Sequence, residues 1–386
     1  MTIRAIVLGT FILLCNVGYT QAKLSKVEVN GYIKNLQSLY YLNSTSSYLA
    51  DNLFHNRINL KWTPSNTFRF QMSLRNRLFL GDTPRFNPNY GKLIDESNKL
   101  SWDLSANLID QNGILLNSNI DRIYAELYLG NVEVKIGRQR INWGITKFWN
   151  PNDLFNTYNF IDFDYEERPG SDAVLIQYNT GVVSSISVVS QYFDRWEQSV
   201  FGGLWKFNVR SFDMQILAAK AKSDLVLGAG LSGVIKAVSI EAEISYFHPI
   251  ISKPNTTPTT SFVVGADYIF SNSVFWSTGY LFTQSGQTSG GLESLLLFDI
   301  SARQLYPFRH ALFTSFSFPV NPLLNVNTTW VYSPASTHPV FHTATITYSL
   351  SQNWDLSMVT QLFMQYESKS FSVPITGAFL LVKYNY

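Results

Sequence analysis

Cysteine and charge are both scarce in this chain. Its single cysteine, Cys15, falls within the first 22 of 386 residues, so residues 23–386 can hold neither a disulfide framework nor a thiolate metal site. Charged residues make up 15%, against roughly a quarter in soluble domains. A formal net charge of +2 gives no global attraction to nucleic acid, and no nucleic-acid motif occurs. Past residue 22 no apolar run approaches the roughly 18 residues of a membrane-spanning helix. The five histidines (His55, His248, His310, His338 and His342) are scattered without metal-ligand spacing, and no glycine-rich phosphate loop is present. These absences argue against an enzyme, and no metal or other cofactor is expected.

What the chain does have begins with an export signal. Arg4 supplies a short positive region, Ala5 to Cys15 an apolar run, and Thr20-Gln21-Ala22 a small-x-small cleavage site. Residues 1–22 are therefore expected to be a signal peptide and 23–386 a single domain.

Within that domain aromatics are abundant, at 15% of the chain, and apolar residues alternate with polar ones. Phe54, Ile58, Leu60 and Trp62 alternate with His55, Arg57, Asn59 and Lys61. Phe68, Phe70, Met72 and Leu74 alternate with Arg69, Gln71, Ser73 and Arg75. This period of two is a strand signal. In a soluble sandwich the apolar face would be the core; in a membrane barrel it faces lipid and the polar face lines a lumen.

The rhythm of connections decides between them. Short turns near residues 64–66, 130–131, 180–182, 208–211, 236–238, 271–273, 320–322 and 351–354 alternate with connections of varied length. The predicted fold is all-β: a single transmembrane antiparallel barrel of 18 strands, or 16 if the count is two too high, with both ends on the periplasmic side. The stretch Leu295–Leu305 could be loop, helix or a further strand. Trp62, Trp276, Trp330, Tyr332, Tyr348 and Trp354 fall at strand ends, as interface aromatics should.

One connection stands apart. Residues 142–170 are long, rich in aromatics from Trp143 to Tyr165, and end in Glu166-Glu167-Arg168-Pro169-Gly170. A loop of this length is usually functional. Asn150-Pro151 reads as a helix start, with a short helix through about Tyr158. Nine of the 13 arginines after residue 22 lie between positions 57 and 168. Strand parity points Arg57, Lys61, Arg69, Arg75, Arg77 and Arg122 at the lumen, while Asp162, Asp164, Glu166 and Glu167 offer counter-charges from the loop. A basic wall opposite an acidic loop would give a transverse field suited to polar or dipolar solutes, and the alternative is that these charges are merely a solvated inner face. Arg138 and Arg140 fall on the apolar parity; a bulge at Gly137-Arg138 would turn both inward and send Trp143 outward, and the alternative is that both lie above the apolar band.

Two stretches carry a resemblance. Ala378, Leu380, Val382, Tyr384 and Tyr386 recur at every second position up to the terminal aromatic, which resembles the assembly signal of bacterial outer-membrane barrels. Ile136-Gly137-Arg138-Gln139-Arg140-Ile141-Asn142-Trp143-Gly144 resembles the Gly-Arg-Gln…Trp-Gly element of large porin-like and polysaccharide-export-like barrels. The resemblance implies residence in the outer membrane of a Gram-negative bacterium, contact with its lipid, and recognition of the last strand by the insertion machinery. It also implies a third extracellular loop, 142–170, folded into the lumen. The implied function is passive diffusion of small hydrophilic or anionic solutes, with the homo-oligomeric state open. The alternatives are a dedicated polysaccharide-export pore and a non-conducting assembly or adhesion scaffold.

Overall fold

The computed structural model describes residues 27–98, 100–156, 167–193, 195–251, 257–296, 298–367 and 369–386. The expected signal peptide, residues 1–22, lies outside them. The strands in chain order are β1 (Val27–Leu42), β2 (Ser47–Ser65), β3 (Phe68–Gly81), β4 (Ser105–Gln111), β5 (Ile114–Leu129), β6 (Val132–Gln139) and β7 (Ser171–Asn179). Then come β8 (Ser185–Gln191), β9 (Val200–Val209), β10 (Phe212–Ala221), β11 (Asp224–Ile235), β12 (Val238–Pro249) and β13 (Thr259–Ile269). The last six are β14 (Phe275–Thr283), β15 (His310–Asn321), β16 (Leu324–Tyr332), β17 (Val340–Ser351), β18 (Trp354–Glu367) and β19 (Ser370–Asn385).

Eighteen of these form one closed antiparallel wall in chain order, sealed by β1 against β19 from Tyr32↔Asn385 to Leu42↔Ile375. Closure pairs both edges of every wall strand, which removes the open edge that neither water nor lipid tolerates well. One end of the wall carries eight short turns, among them 130–131, 210–211 and 236–237. Gly130, Arg210 and Lys236 hold the left-handed backbone that such turns need (φ +64°, +58° and +57°). The other end carries the longer connections. The described residues of Leu295–Leu305 contribute no wall strand: they hold the end of a one-turn helix, Leu292–Leu296, and an isolated bridge between Ser301 and Gln304.

Strand β4 is the exception to the simple rhythm. It pairs with β5 alone, along Ser105↔Asn119 to Gln111↔Ile114. The sequence offers no sign of it inside a long polar connection, and its cause lies in β6. That strand covers only Ile123–Leu129 of β5, so the upper edge of β5 would otherwise leave its backbone groups unpaired.

Alternation in the strands becomes inside and outside of the wall. On β12, Glu241, Glu243, Ser245 and Phe247 are buried while Ile244 and Tyr246 are exposed. On β2, His55 and Arg57 are buried and Phe54 and Trp62 exposed. The inward face is not polar throughout, as simple alternation suggests. Leu281, Phe313, Val331, Phe341 and Phe363 all point inward near the loop end and pack on Trp149, Tyr306 and Phe308 from two returning loops. A second cluster joins Ile141, Trp143 and Leu154 to Val189, Leu204, Leu217 and Val226. Apolar residues on the lumen side are therefore the seats of loops, a feature invisible to an inside-polar rule.

Candidate functional site, a loop seated across the barrel

Where β6 ends, Gly137 takes φ +123°. A Cβ there would sit 2.3 Å from the Ile123 carbonyl oxygen, so only glycine makes this bend. Arg138 is 1% exposed and so does not meet lipid. Its Nε and Nη2 donate to the two carboxylate oxygens of Asp172 at 2.7 and 2.9 Å, and Nη2 also donates to the Trp102 carbonyl. Pairing runs unbroken through Gly137↔Ala173 and Arg138↔Asp172, so the bend at Gly137 replaces a bulge. Arg140 stays exposed. Trp143 is not at the outer interface: it is 2% exposed and packs edge-on against Phe155 at 4.9 Å.

The next segment lies against the inward faces of β10–β13. Glu243 receives three backbone N–H groups, those of Ile145, of Thr146 at 2.8 Å and of Asn152 at 3.0 Å. Glu241 receives the Lys147 N–H at 2.7 Å, and the Lys147 ammonium pairs with Asp267. Ser245 donates to the Asn152 side-chain oxygen at 2.6 Å, and Gln215 to the Trp143 carbonyl at 2.6 Å. Bonds to an ionised carboxylate are the strong kind, about twice a neutral one. Gly228 and Gly230 of β11 make room: a Cβ on Gly228 would stand 2.4 Å from Asn152 Oδ1.

Asn150-Pro151-Asn152-Asp153 forms a turn, with Asp153 N–H donating to the Asn150 carbonyl at 3.1 Å, rather than the expected helix start. The Asn150 side chain instead donates to Thr146 and accepts from Arg168 at 3.3 Å. Asp153 is fully buried and pairs with Arg168 at 3.0 Å. Burial nevertheless pushes its carboxyl up to about 7, against the pull of that arginine.

The loop's far end reaches the other side of the ring. Glu167 pairs with Arg57 of β2 at 3.3 Å, and the Arg168 carbonyl accepts from Arg122 of β5. Counted through β3 and β5 to β11, β2 and β12 lie nine strands apart in a ring of eighteen. The same loop is thus fastened to opposite walls.

Four of the eight expected basic residues are held by acids of the wall itself, Arg138 by Asp172 as above. Arg57 pairs with Asp121 at 2.6 Å, Arg69 with Glu126 at 2.9 Å, and Lys61 with Glu28 at 3.0 Å. Arg75 donates to Asn98 at 2.9 Å, Arg77 to Asn117 at 3.2 Å, and Arg122 to the Asp121 carbonyl at 2.7 Å, all neutral oxygens. Of the expected loop acids, Glu167 meets the basic wall; Asp162, Asp164 and Glu166 lie outside the described residues. Sequence reasoning missed Asp121, Glu126 and Asp172 as counter-charges, and Glu241, Glu243 and Asp267 as anchors. The odd-numbered run Glu241, Glu243, Ser245 was the available signal. Asp121 gave none, because it is the extra residue of a register shift between Ser73↔Arg122 and Leu74↔Ile120.

In β19 the expected terminal set faces outward, with Leu380 40% and Tyr386 43% exposed, while Gly377 and Phe379 are buried. Among the described residues no three His, Cys, Asp or Glu side chains gather as a metal site.

No family model and no curated protein matches the chain. Solved structures do. The chain is similar to OccK9 (OpdG) of Pseudomonas aeruginosa, with a TM-score of 0.61 and 12% identity over 95% of this chain and 99% of that one. It is similar to OccK2 (OpdF) of the same organism, solved in complex with glucuronate, with a TM-score of 0.59 and 11% identity over 95% and 99%. OpdQ gives 0.57 and 9% over 93% and 98%. At these identities the likeness is one of fold, and it extends almost from end to end: the chain is a porin-like, closed eighteen-stranded β-barrel.

Proposed function

We propose that this chain is a porin of the bacterial outer membrane, a passive diffusion channel for small hydrophilic or anionic solutes, narrowed by the loop 142–170. The observation that carries the reading is the fastening of that loop to β12 at Glu243 and to β2 at Arg57, on opposite sides of the ring. A loop so placed sets the width of whatever passes. Arg75, bonded to the neutral Asn98 side-chain oxygen, leaves positive potential for a passing anion.

The membrane setting rests on the outer face, where Ile33, Phe54, Trp62, Trp205, Ile244, Trp330, Ile346 and Trp354 are all exposed. A belt of that extent calls for lipid. Insertion through β19 is in keeping with its outward aromatic set. The structurally similar OccK2 was solved with glucuronate, which makes a sugar acid the natural probe.

Uptake by proteoliposomes tests the proposal. Protein-containing vesicles should admit glucuronate faster than an uncharged hexose, and both far faster than empty vesicles. Inserted barrels that admit neither solute would contradict a channel and favour the closed scaffold.

A further inference from the structure

The outward face carries an anomaly. Asn35 and Gln37 of β1, Asn52 and Asn56 of β2, and Asn76 of β3 share the parity of Ile33, Leu39 and Phe54, which are 49%, 44% and 46% exposed. Among the described residues of the other fifteen wall strands, no outward position away from the turns holds an Asn or Gln. Five carboxamides are thus gathered on three adjacent strands of an otherwise apolar exterior.

Their mutual bonds do not satisfy them. Asn35 donates to Asn52 at 2.7 Å, Asn76 to Asn56 at 3.4 Å, and Ser118 to Asn76 at 2.7 Å. Among the described residues only Asn56 has its nitrogen engaged elsewhere, on the Tyr32 carbonyl and the Tyr386 hydroxyl. Each amide has two N–H donors and an oxygen with two lone pairs. Among the described residues the Asn52 nitrogen and the whole Gln37 amide make no hydrogen bond. Acyl chains offer nothing to such groups, whereas polar side chains facing a second protein bond across the contact.

Beside the stripe lies a depression of about 660 Å³, floored by Ala50 and Ala378 between Leu39, Leu80, Met358 and Leu380. The amide-bearing patch has no charged side chain facing out, so it needs no partner of opposite sign. Every carboxamide is both donor and acceptor, which makes the patch complementary to itself under a two-fold axis. Phe54, standing between Asn52 and Asn56, supplies a protruding ring of the kind such a depression takes. We infer that the outer face of β1–β3 is where two copies of this barrel meet inside the membrane. The inference rests on the membrane setting proposed above.

Residues 23–386 contain no cysteine, so one introduced thiol is unambiguous. Gln37→Cys and Asn52→Cys should cross-link to a species of twice the chain mass in intact outer membranes, at about tenfold the yield of Ile244→Cys on the far wall. Replacing all five carboxamides by Leu should lower the dimer fraction by about tenfold while the barrel keeps its folded, heat-modifiable migration. Equal yields at both faces, an adduct of any other mass, or an unchanged dimer fraction in the five-Leu variant would overturn the inference. A dye on Ile244→Cys, reconstituted with nitroxide lipid, reports separately on the setting. Quenching there together with no cross-link removes the interface alone; absence of quenching removes the membrane reading and the interface with it.

Discussion

Arg57 of β2 and Glu243 of β12 stand nine strands apart in a ring of eighteen, and one loop binds both. Its near end hangs its backbone N–H groups on Glu243, and its far end offers Glu167 to Arg57. A short connection could reach only its neighbours. The length of 142–170 lets one connection hold residues nine strands apart.

Glu243→Ala should release the near end. It strands three backbone donors in a buried place, each costing about 1–3 kcal/mol if left unmet. Amide exchange across 145–152 should quicken by orders of magnitude, and conductance should rise and become noisy. Glu243→Gln, which keeps an oxygen acceptor, should fall between. Unchanged exchange in the Ala variant would show that the anchor is dispensable.

Gly228→Val tests the same seat from the wall side. A Cβ already collides with Asn152 Oδ1 at 2.4 Å, so the larger side chain must displace the loop rather than the strand, which is paired along its length with β10 and β12. The expected outcome is an intact barrel with faster exchange in 145–152. An unfolded barrel would instead place the constraint in the wall.

Much of the fold was legible in the sequence, and particular residues show why. Phe54 to Trp62 and Phe68 to Leu74 obey a period of two, and the turns between such runs are short, so the strand count emerges from them. The third outward loop was singled out by length and aromatics alone. What stayed hidden depends on contacts between distant segments. Phe313 and Phe341 look like any strand apolar residue until a loop returns to cover them. Asp121 looks solvent-facing until a register shift aims it at Arg57. At Arg138 the expected bulge is replaced by a left-handed Gly137 that leaves the pairing intact.

Acidity should tighten the loop. The Asp153 carboxyl is pushed up to about 7 by burial, so the packed loop holds a proton that the exposed loop releases. That stabilisation is fully present below the ordinary value of 3.8 and is lost as pH rises through about 7. Exchange of 141–156, corrected for intrinsic rates, should be slower at pH 5 than at pH 8. Asp153→Asn should keep the slow rate at both. The same pH dependence in the Asn variant would exclude Asp153 as its source.

Assembly should depend on the last strand's outward aromatics. Tyr384 packs on Trp354 with ring centroids 4.8 Å apart, beside the β1–β19 seam. Replacing Tyr384 and Tyr386 by Ser should cut insertion into the outer membrane far more than Phe371→Ser, which alters an exposed ring near the loop end. Equal insertion of the two variants would deny the terminal set a special part.

The most direct test is the reversal potential of single channels in a planar bilayer under a KCl gradient. The wild-type barrel is expected to prefer chloride, and Arg75→Gln with Arg77→Gln to shift the potential toward potassium. Glu167→Gln is expected to move it further toward chloride. All three differences should shrink between 0.1 and 1 M salt, as the screening length falls from about 10 to about 3 Å. A conducting channel with the same potential in all variants, at low salt, would contradict a charged constriction formed by this loop and the basic wall.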